Sequence, residues 1–437
     1  MAEHSEGDLN LGGARVAWMA TVADAQTRAL LAADADLFLH QALSTPCLDV
    51  LERAEGIWLI DTAVRRFMDF HGNTVHQLGH GHPRVIEAIT RQMATPPFCP
   101  RRYTNRAAID LARRLIEMAP DPLGRVLFAP GGTSAIGMAL KLARVATGRH
   151  KTVSMWDAFH GASLDAISVG GEAIFRRDAG PLLPGAEHVP PPGLARRFFG
   201  DDDRATDRLA DYIEYVLEVQ GDVGAVIAEP MRWTTVEPPP PGFWPHIRAA
   251  CDRHGALLIF DEIPSGLGRC GTMFVTEQTG CVPDMLVLGK GLGGGIFPMA
   301  ALIARRDLNV AADRALGHHT HEKSSVGCAA ALATLDVIRD EDLIAHATRL
   351  GTHGLERCRQ IAEASPGVRA VRGLGLYFGI ELESAARAEA VLYACLARGL
   401  SFKIGGGTVV TLCPPLVITQ AELDAALDIV AGVLAGL

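Results

Sequence analysis

No two cysteines in the chain stand in a Cys-x-x-Cys spacing, and the nine present, from Cys47 to Cys413, are scattered and odd in number. That excludes the usual zinc-cluster spacing and suggests no disulfide framework. No run of Lys and Arg exceeds a pair such as Arg101-Arg102 or Arg176-Arg177. With a net charge of −9, the chain lacks the basic field that nucleic acid demands, so no nucleic-acid partner is expected. No stretch approaches the roughly 18 apolar residues of a membrane span, so no membrane partner is expected either. Residues 1–10 are acidic and polar, without the basic-then-apolar order of a secretory leader. A soluble, cytoplasmic protein is expected.

What is there is the balance of a packed globular enzyme: 48% apolar and 21% charged residues in a chain of 437. That length exceeds one ordinary core and predicts two domains. Residues 1–24 read as a loose tail and residues 25–43, rich in Ala and Leu, as a first helix. Residues 56–61 and 66–70 read as a small hairpin. Short apolar runs at 126–128, 259–260 and 286–288 alternate with helical stretches at 135–146 and 205–219. The alternation predicts an α/β fold with a mostly parallel, buried sheet. The proline clusters at 190–192 and 238–241 mark surface connections. After them comes a long Ala-rich helix at 328–339, then mixed helix and strand signals. The expected organisation is a tail, helix and hairpin over 1–70, a large domain over 71–325 and a small α+β domain over 326–437.

Three pieces carry chemistry. Leu257-Leu-Ile-Phe-Asp-Glu puts Asp261 at the carboxyl end of an apolar strand, where open α/β sheets present ligand groups. Leu286-Val-Leu-Gly-Lys-Gly-Leu-Gly-Gly-Gly puts Lys290 at another strand end among glycines that allow close approach. A desolvated lysine attacks an aldehyde, and an aspartate beneath a pyridine nitrogen keeps that ring protonated. The pair therefore describes a pyridoxal 5′-phosphate (PLP) site. Ala129-Pro-Gly-Gly-Thr-Ser-Ala is a strand-to-helix turn whose N–H groups and hydroxyls, Thr133 and Ser134 foremost, suit a phosphate. His318, His319 and His321 lack a fitting carboxylate or cysteine partner nearby, and no metal is expected.

With these motifs, and with Leu78-Gly-His-Gly-His-Pro-Arg and Asp261-Glu-Ile-Pro-Ser-Gly-Leu-Gly-Arg, the chain from 51 to 437 resembles the class III aminotransferases of PLP fold type I. The resemblance implies a seven-stranded-type sheet sandwiched by helices. It implies that Lys290 holds the cofactor, Asp261 pairs with the pyridine nitrogen, Phe159 stacks on the ring, and Gly132, Thr133 and Ser134 take the phosphate. It also implies that Glu229 lines the substrate pocket. Thr320 matches a threonine that binds phosphate in the neighbouring subunit, so a homodimer with shared sites is expected.

The pattern is broken in places. Pro264 stands where the family has a glutamine, and Ser134 and Gly137 stand where its phosphate loop has glutamates. Gly405 and Thr411 stand where family arginines clamp a substrate carboxylate. A transaminase must bind a 2-oxo acid, usually through such a fork, whereas a lyase need not. Phe70-His-Gly-Asn and Trp156-Asp-Ala-Phe-His-Gly-Ala-Ser resemble a lyase of hydroxylated aminophosphonates within the family. The expected activity is an ammonia-lyase of a small β-hydroxylated primary amine, with a phosphonate held by Arg101, Arg102, Lys323 or Lys403. The alternative is a transaminase of small ω-amines or amino acids.

Overall fold

The computed structural model describes residues 12–42 and 47–437. The chain divides into two compact units, one of residues 83–233 and 237–341, the other of residues up to 82, 234–236 and 342–437.

The larger unit is built on seven strands: β1 (Leu123–Ala129), β2 (Lys151–Met155), β3 (Ala186–Val189), β4 (Val223–Ala228), β5 (Leu257–Asp261), β6 (Met285–Leu288) and β7 (Ala300–Arg305). Their spatial order is β1-β7-β6-β5-β4-β2-β3. Only β7 runs against its neighbours; the other pairs are parallel, as expected. Strands β4, β5 and β6 are buried along their whole length. Covered on both faces, they read as continuous apolar runs without polar alternation. The helix Gly132–Thr147 lays Ala135, Ile136, Ala139 and Ala143 on one face, against Ile227, Ile259 and Val287.

Because β7 opposes both β1 and β6, those two run the same way. The carboxyl ends of β1, β2, β4, β5 and β6 therefore open on one edge, where such sheets hold ligands. The other edge is locked by Asp284, which is 2% exposed. It accepts from Arg248 Nη1 at 2.7 Å, Arg305 Nη1 at 2.6 Å and Leu258 N at 2.6 Å. Removing it strands two guanidinium charges and a buried amide. Asp284→Ala should cost about 2 to 3 kcal/mol, toward the low end for a buried network because Arg305 is partly solvated. A lowered urea midpoint with unchanged cofactor absorbance is the expected readout; an unchanged midpoint would show that the network contributes nothing.

In the smaller unit, Leu51–Glu55, Trp58–Asp61 and Arg66–Asp69 form the expected hairpin and a third strand, extended by Leu400–Ser401. A second sheet carries Val368–Gly373, Phe378–Leu382, Val409–Leu412 and Lys403–Gly405 in that order, all antiparallel.

Two expectations about the amino-terminal region change. Of the supposed tail, residues 1–11 lie outside the described residues, but Gly13–Val22 is a helix. Its Trp18 is buried against Phe67 and Leu396, so tertiary packing forms it without a side-chain cap. The next helix, capped by Asp24 accepting from Thr27 N, ends at Leu37; residues 43–46 lie outside the described residues.

The unit boundaries fall at 82/83 and 341/342, beyond 70/71 and 325/326. Residues 71–82 stay with the smaller unit because Gly56 and His80 exchange backbone hydrogen bonds and Leu416 N donates to Gln77 O. The helix Ser325–Asp340 stays with the larger because it packs on the helices Pro83–Met93 and Arg106–Met118. Arg114–Asp336 and Arg84–Asp340 ion pairs, at 2.8 and 2.7 Å, reinforce that packing. No helix among the described residues is long and apolar enough to cross a membrane.

Candidate active site

The carboxyl edge of the large sheet gathers most of the residues singled out by sequence. Asp261 ends β5 with 1% exposure. Its Oδ1 accepts from Ile263 N at 3.0 Å, and its Oδ2 lies 2.8 Å from His160 Nδ1. A carboxylate accepts, so that ring nitrogen donates. The other imidazole nitrogen, His160 Nε2, is buried without a hydrogen-bond partner among the described residues. Glu262, second of the acidic pair, does different work. It accepts from Val275 N, Thr276 N and Thr276 Oγ1, each at 2.6 Å, and so pins a loop. Burial pushes its pKa up to about 7.

Lys290 follows β6 and is half-buried. Its φ of 47° is a left-handed conformation that costs a non-glycine residue energy. Such strain persists only where surroundings impose it, and it turns the side chain out of the strand. Lys290 Nζ lies 4.7 Å from the ring centroid of Trp233.

The turn after β1 leads into Gly132–Thr147 with no side-chain cap on that helix. Gly132, Thr133 and Ser134, all half-buried, form its first turn. Two close approaches tie this turn to the rest. A Cβ at Gly132 would lie 2.7 Å from Ile263 Cδ1, and one at Gly289 would lie 3.3 Å from Ile263 Cγ2. The Ile263 side chain thus stands between the Thr133 turn and the residue preceding Lys290. Gly161 has φ +121°, and a Cβ there would lie 2.4 Å from Thr133 Oγ1. Only glycine fits, and it brings Phe159-His160 against the helix start. At Gly137, where the family has a glutamate, a Cβ would meet Asp165 Oδ2 at 2.6 Å, so a carboxylate reaches that place from another helix.

Glu229 follows β4, 4% exposed. Its Oε1 accepts from Phe159 N at 3.2 Å and its Oε2 from Trp233 N at 3.1 Å. Burial raises its pKa, opposed by the charges of Arg232 and His160. Both oxygens are engaged by backbone amides, so Glu229 holds two ring-bearing residues in place. Phe159 is further braced by Phe175, with ring centroids 4.6 Å apart.

Thr320 is not among this group; it sits exposed, as do His318, His321 and Lys323, with His321 edge-on to Phe98 at 5.2 Å. Arg101 and Arg102 are exposed, and Lys403 is half-buried in the smaller unit. His160, Trp233 and Arg232 were not singled out by sequence. The Phe159-His160-Gly161 triplet carried a signal for His160; nothing marked Trp233.

The smaller unit explains the missing arginine clamp. A Cβ on Gly405 would lie 1.7 Å from the carbonyl oxygen of Thr234, so no side chain fits there. Arg372 fixes that segment, donating from Nε to Thr235 O at 3.2 Å while pairing with Glu381 at 2.8 Å. Thr411 is buried, 3% exposed.

The family model for class III aminotransferases matches residues 40–434. The protein is therefore an enzyme that depends on PLP. It belongs to the class III aminotransferase family. An (R)-1-hydroxy-2-aminoethylphosphonate ammonia-lyase of Vibrio splendidus is 49% identical, over 97% of this chain and 94% of that protein. An acetylornithine aminotransferase of Methanopyrus kandleri is 36% identical, over 85% of this chain and 91% of that protein. Among solved structures, a thermostable (S)-enantioselective omega-transaminase of Thermomicrobium roseum has a TM-score of 0.86 at 30% identity, covering 94% of this chain and 98% of that one.

Proposed function

We propose that the protein is a PLP-dependent ammonia-lyase acting on a small β-hydroxylated primary amine that carries a phosphonate, (R)-1-hydroxy-2-aminoethylphosphonate being the substrate named for its relative. The products would be phosphonoacetaldehyde and ammonia. The observation that carries the choice of lyase over transaminase is the Thr234 carbonyl lying 1.7 Å from where any Cβ at position 405 would stand. Without that arginine, the enzyme lacks the usual fork for the 2-oxo acid that a transaminase needs.

The residues present fit the cofactor. The uncapped start of the Gly132–Thr147 helix, with Thr133 and Ser134 hydroxyls, suits a phosphate dianion. Asp261 is a buried carboxylate oriented by His160 and Ile263 N, the acceptor that a protonated pyridine nitrogen requires. Phe159, held by Glu229 and Phe175, presents a ring for stacking, and Lys290 supplies the amine. When bound, PLP withdraws electrons from the carbon bearing the amine and makes its C–H acidic. Lys290 Nζ would first hold the cofactor and then, displaced by the substrate amine, take the proton from that carbon. That proton would leave with the β-hydroxyl as water, Lys290 Nζ would return to the cofactor and so free the substrate nitrogen, and the freed enamine would take up water to give the aldehyde and ammonia. Asp261 would keep the pyridine nitrogen protonated, with His160 fixing its carboxylate.

Thr320, exposed in one chain, would serve the phosphate of a neighbouring subunit, making the working form a homodimer with shared sites. Supporting this is a groove of about 740 Å³ beside it, lined by Leu127, Leu316, His318, Glu322 and Lys323, which a second copy would cover. None of the nine cysteines, all among the described residues, forms a disulfide, in keeping with a cytoplasmic setting.

The test is the fate of nitrogen. With labelled hydroxylated aminophosphonate and no 2-oxo acid, the holoenzyme should turn over repeatedly and release labelled ammonia in step with aldehyde. Adding pyruvate or 2-oxoglutarate should leave the label in ammonia. Its efficient transfer to alanine or glutamate, with no free ammonia, would make the protein a transaminase, the activity named for its acetylornithine relative.

A further inference from the structure

We propose that Trp233 is the size filter of the amine site, confining substrates to short, unbranched primary amines and shutting out aryl and long-chain ones. The proposal rests on Lys290 being the lysine that holds the cofactor.

A ring centroid 4.7 Å from Lys290 Nζ leaves no room for a carbon between the indole face and the amine. Any group bonded at that nitrogen must therefore extend away from the ring, and the wall limits its breadth. The wall is fixed at its base. Trp233 N donates to Glu229 Oε2 at 3.1 Å. Arg232, beside it, donates to the carbonyls of Trp156 and Asp157 at 3.1 and 2.9 Å. Arg232 and Glu237 exchange backbone hydrogen bonds of 3.2 and 3.1 Å, closing the chain on both sides of the tryptophan. At 8% exposure, the ring has no solvent to swing into. Tryptophan has the largest side chain, and truncating it opens the largest space at the amine.

The experiment compares Trp233→Ala and Trp233→Phe with the parent holoenzyme. Binding of phenylethylamine and of a short hydroxylated amine is followed through the cofactor's visible absorbance, and ammonia release from the short amine is assayed separately. In Trp233→Ala, the preference for the short amine should fall by roughly 10- to 100-fold, the discrimination an apolar wall supplies. Trp233→Phe should fall between the two and preserves the test if the alanine variant misfolds. A third readout needs no turnover. Adding PLP to apoenzyme should quench tryptophan emission, and Trp233→Phe should lose a large share of that quench. An unchanged preference in a variant that keeps lysine-bound cofactor would overturn the filter alone. Lysine-type absorbance persisting in Lys290→Ala would instead overturn the assignment beneath it.

Discussion

Lys290→Ala is expected to lose the visible absorbance of lysine-bound cofactor and to turn over about 10,000-fold more slowly. The lysine is asked to hold the cofactor and to move a proton. Arg232 is committed to the Trp156 and Asp157 carbonyls, and a guanidinium does not deprotonate in proteins. Truncation should leave the fold intact, because the side chain is half-buried and alanine bears no more strain than lysine at a φ of 47°. Urea unfolding should thus shift little while turnover collapses. Substantial activity in a folded Lys290→Ala protein would remove the PLP assignment at this position.

Asp261→Asn should keep cofactor attached but lower kcat by roughly 100- to 10,000-fold. The change is isosteric, yet it fails on both sides of the side chain. Asparagine Oδ1 still accepts from Ile263 N, but its NH₂ then faces His160 Nδ1, where a carboxylate oxygen now lies at 2.8 Å. The imidazole must change tautomer or lose its bond, and the negative charge proposed to retain a proton on the pyridine nitrogen is gone. The loss should fall mainly on kcat rather than KM, since the role proposed for Asp261 is toward the cofactor and not the substrate. A shared drop in KM and kcat, or wild-type turnover, would show that the residue has another role.

The parts of the site legible in the sequence were those ending continuous apolar runs. Asp261 and Lys290 follow strands buried on both faces, which read unambiguously, and Gly131-Gly132 marks the turn between β1 and its helix. Relations across the chain were not legible. His160 and Asp261 are 101 residues apart and meet only because β2 and β5 flank β4. The oxygens of Glu229 are engaged by amides from two different loops, which no spacing announces. Trp233 lies in an irregular stretch whose direction depends on Arg232 reaching another strand end. In the fold, Gly13–Val22 reads as a tail because it has neither cap nor charge pattern; Trp18, buried against the hairpin and the helix Ala385–Leu396, supplies what the local sequence lacks. The units divide at 341/342 because the Ala-rich helix packs on the larger one, and such a helix gives no sign in its sequence of which neighbour it packs on.

The contact between Gly405 and Thr234 bears on how readily this chemistry can change. In an enzyme whose carboxylate clamp had merely been mutated away, one codon change would restore it. Here the backbone of 234–236 occupies the required volume, so Gly405→Arg meets a carbonyl before its side chain begins. Regaining the clamp at that position would take a prior shift of that segment, held by Arg372, through intermediates that gain no new activity. Installing the clamp at position 405 is thereby uphill at its first step.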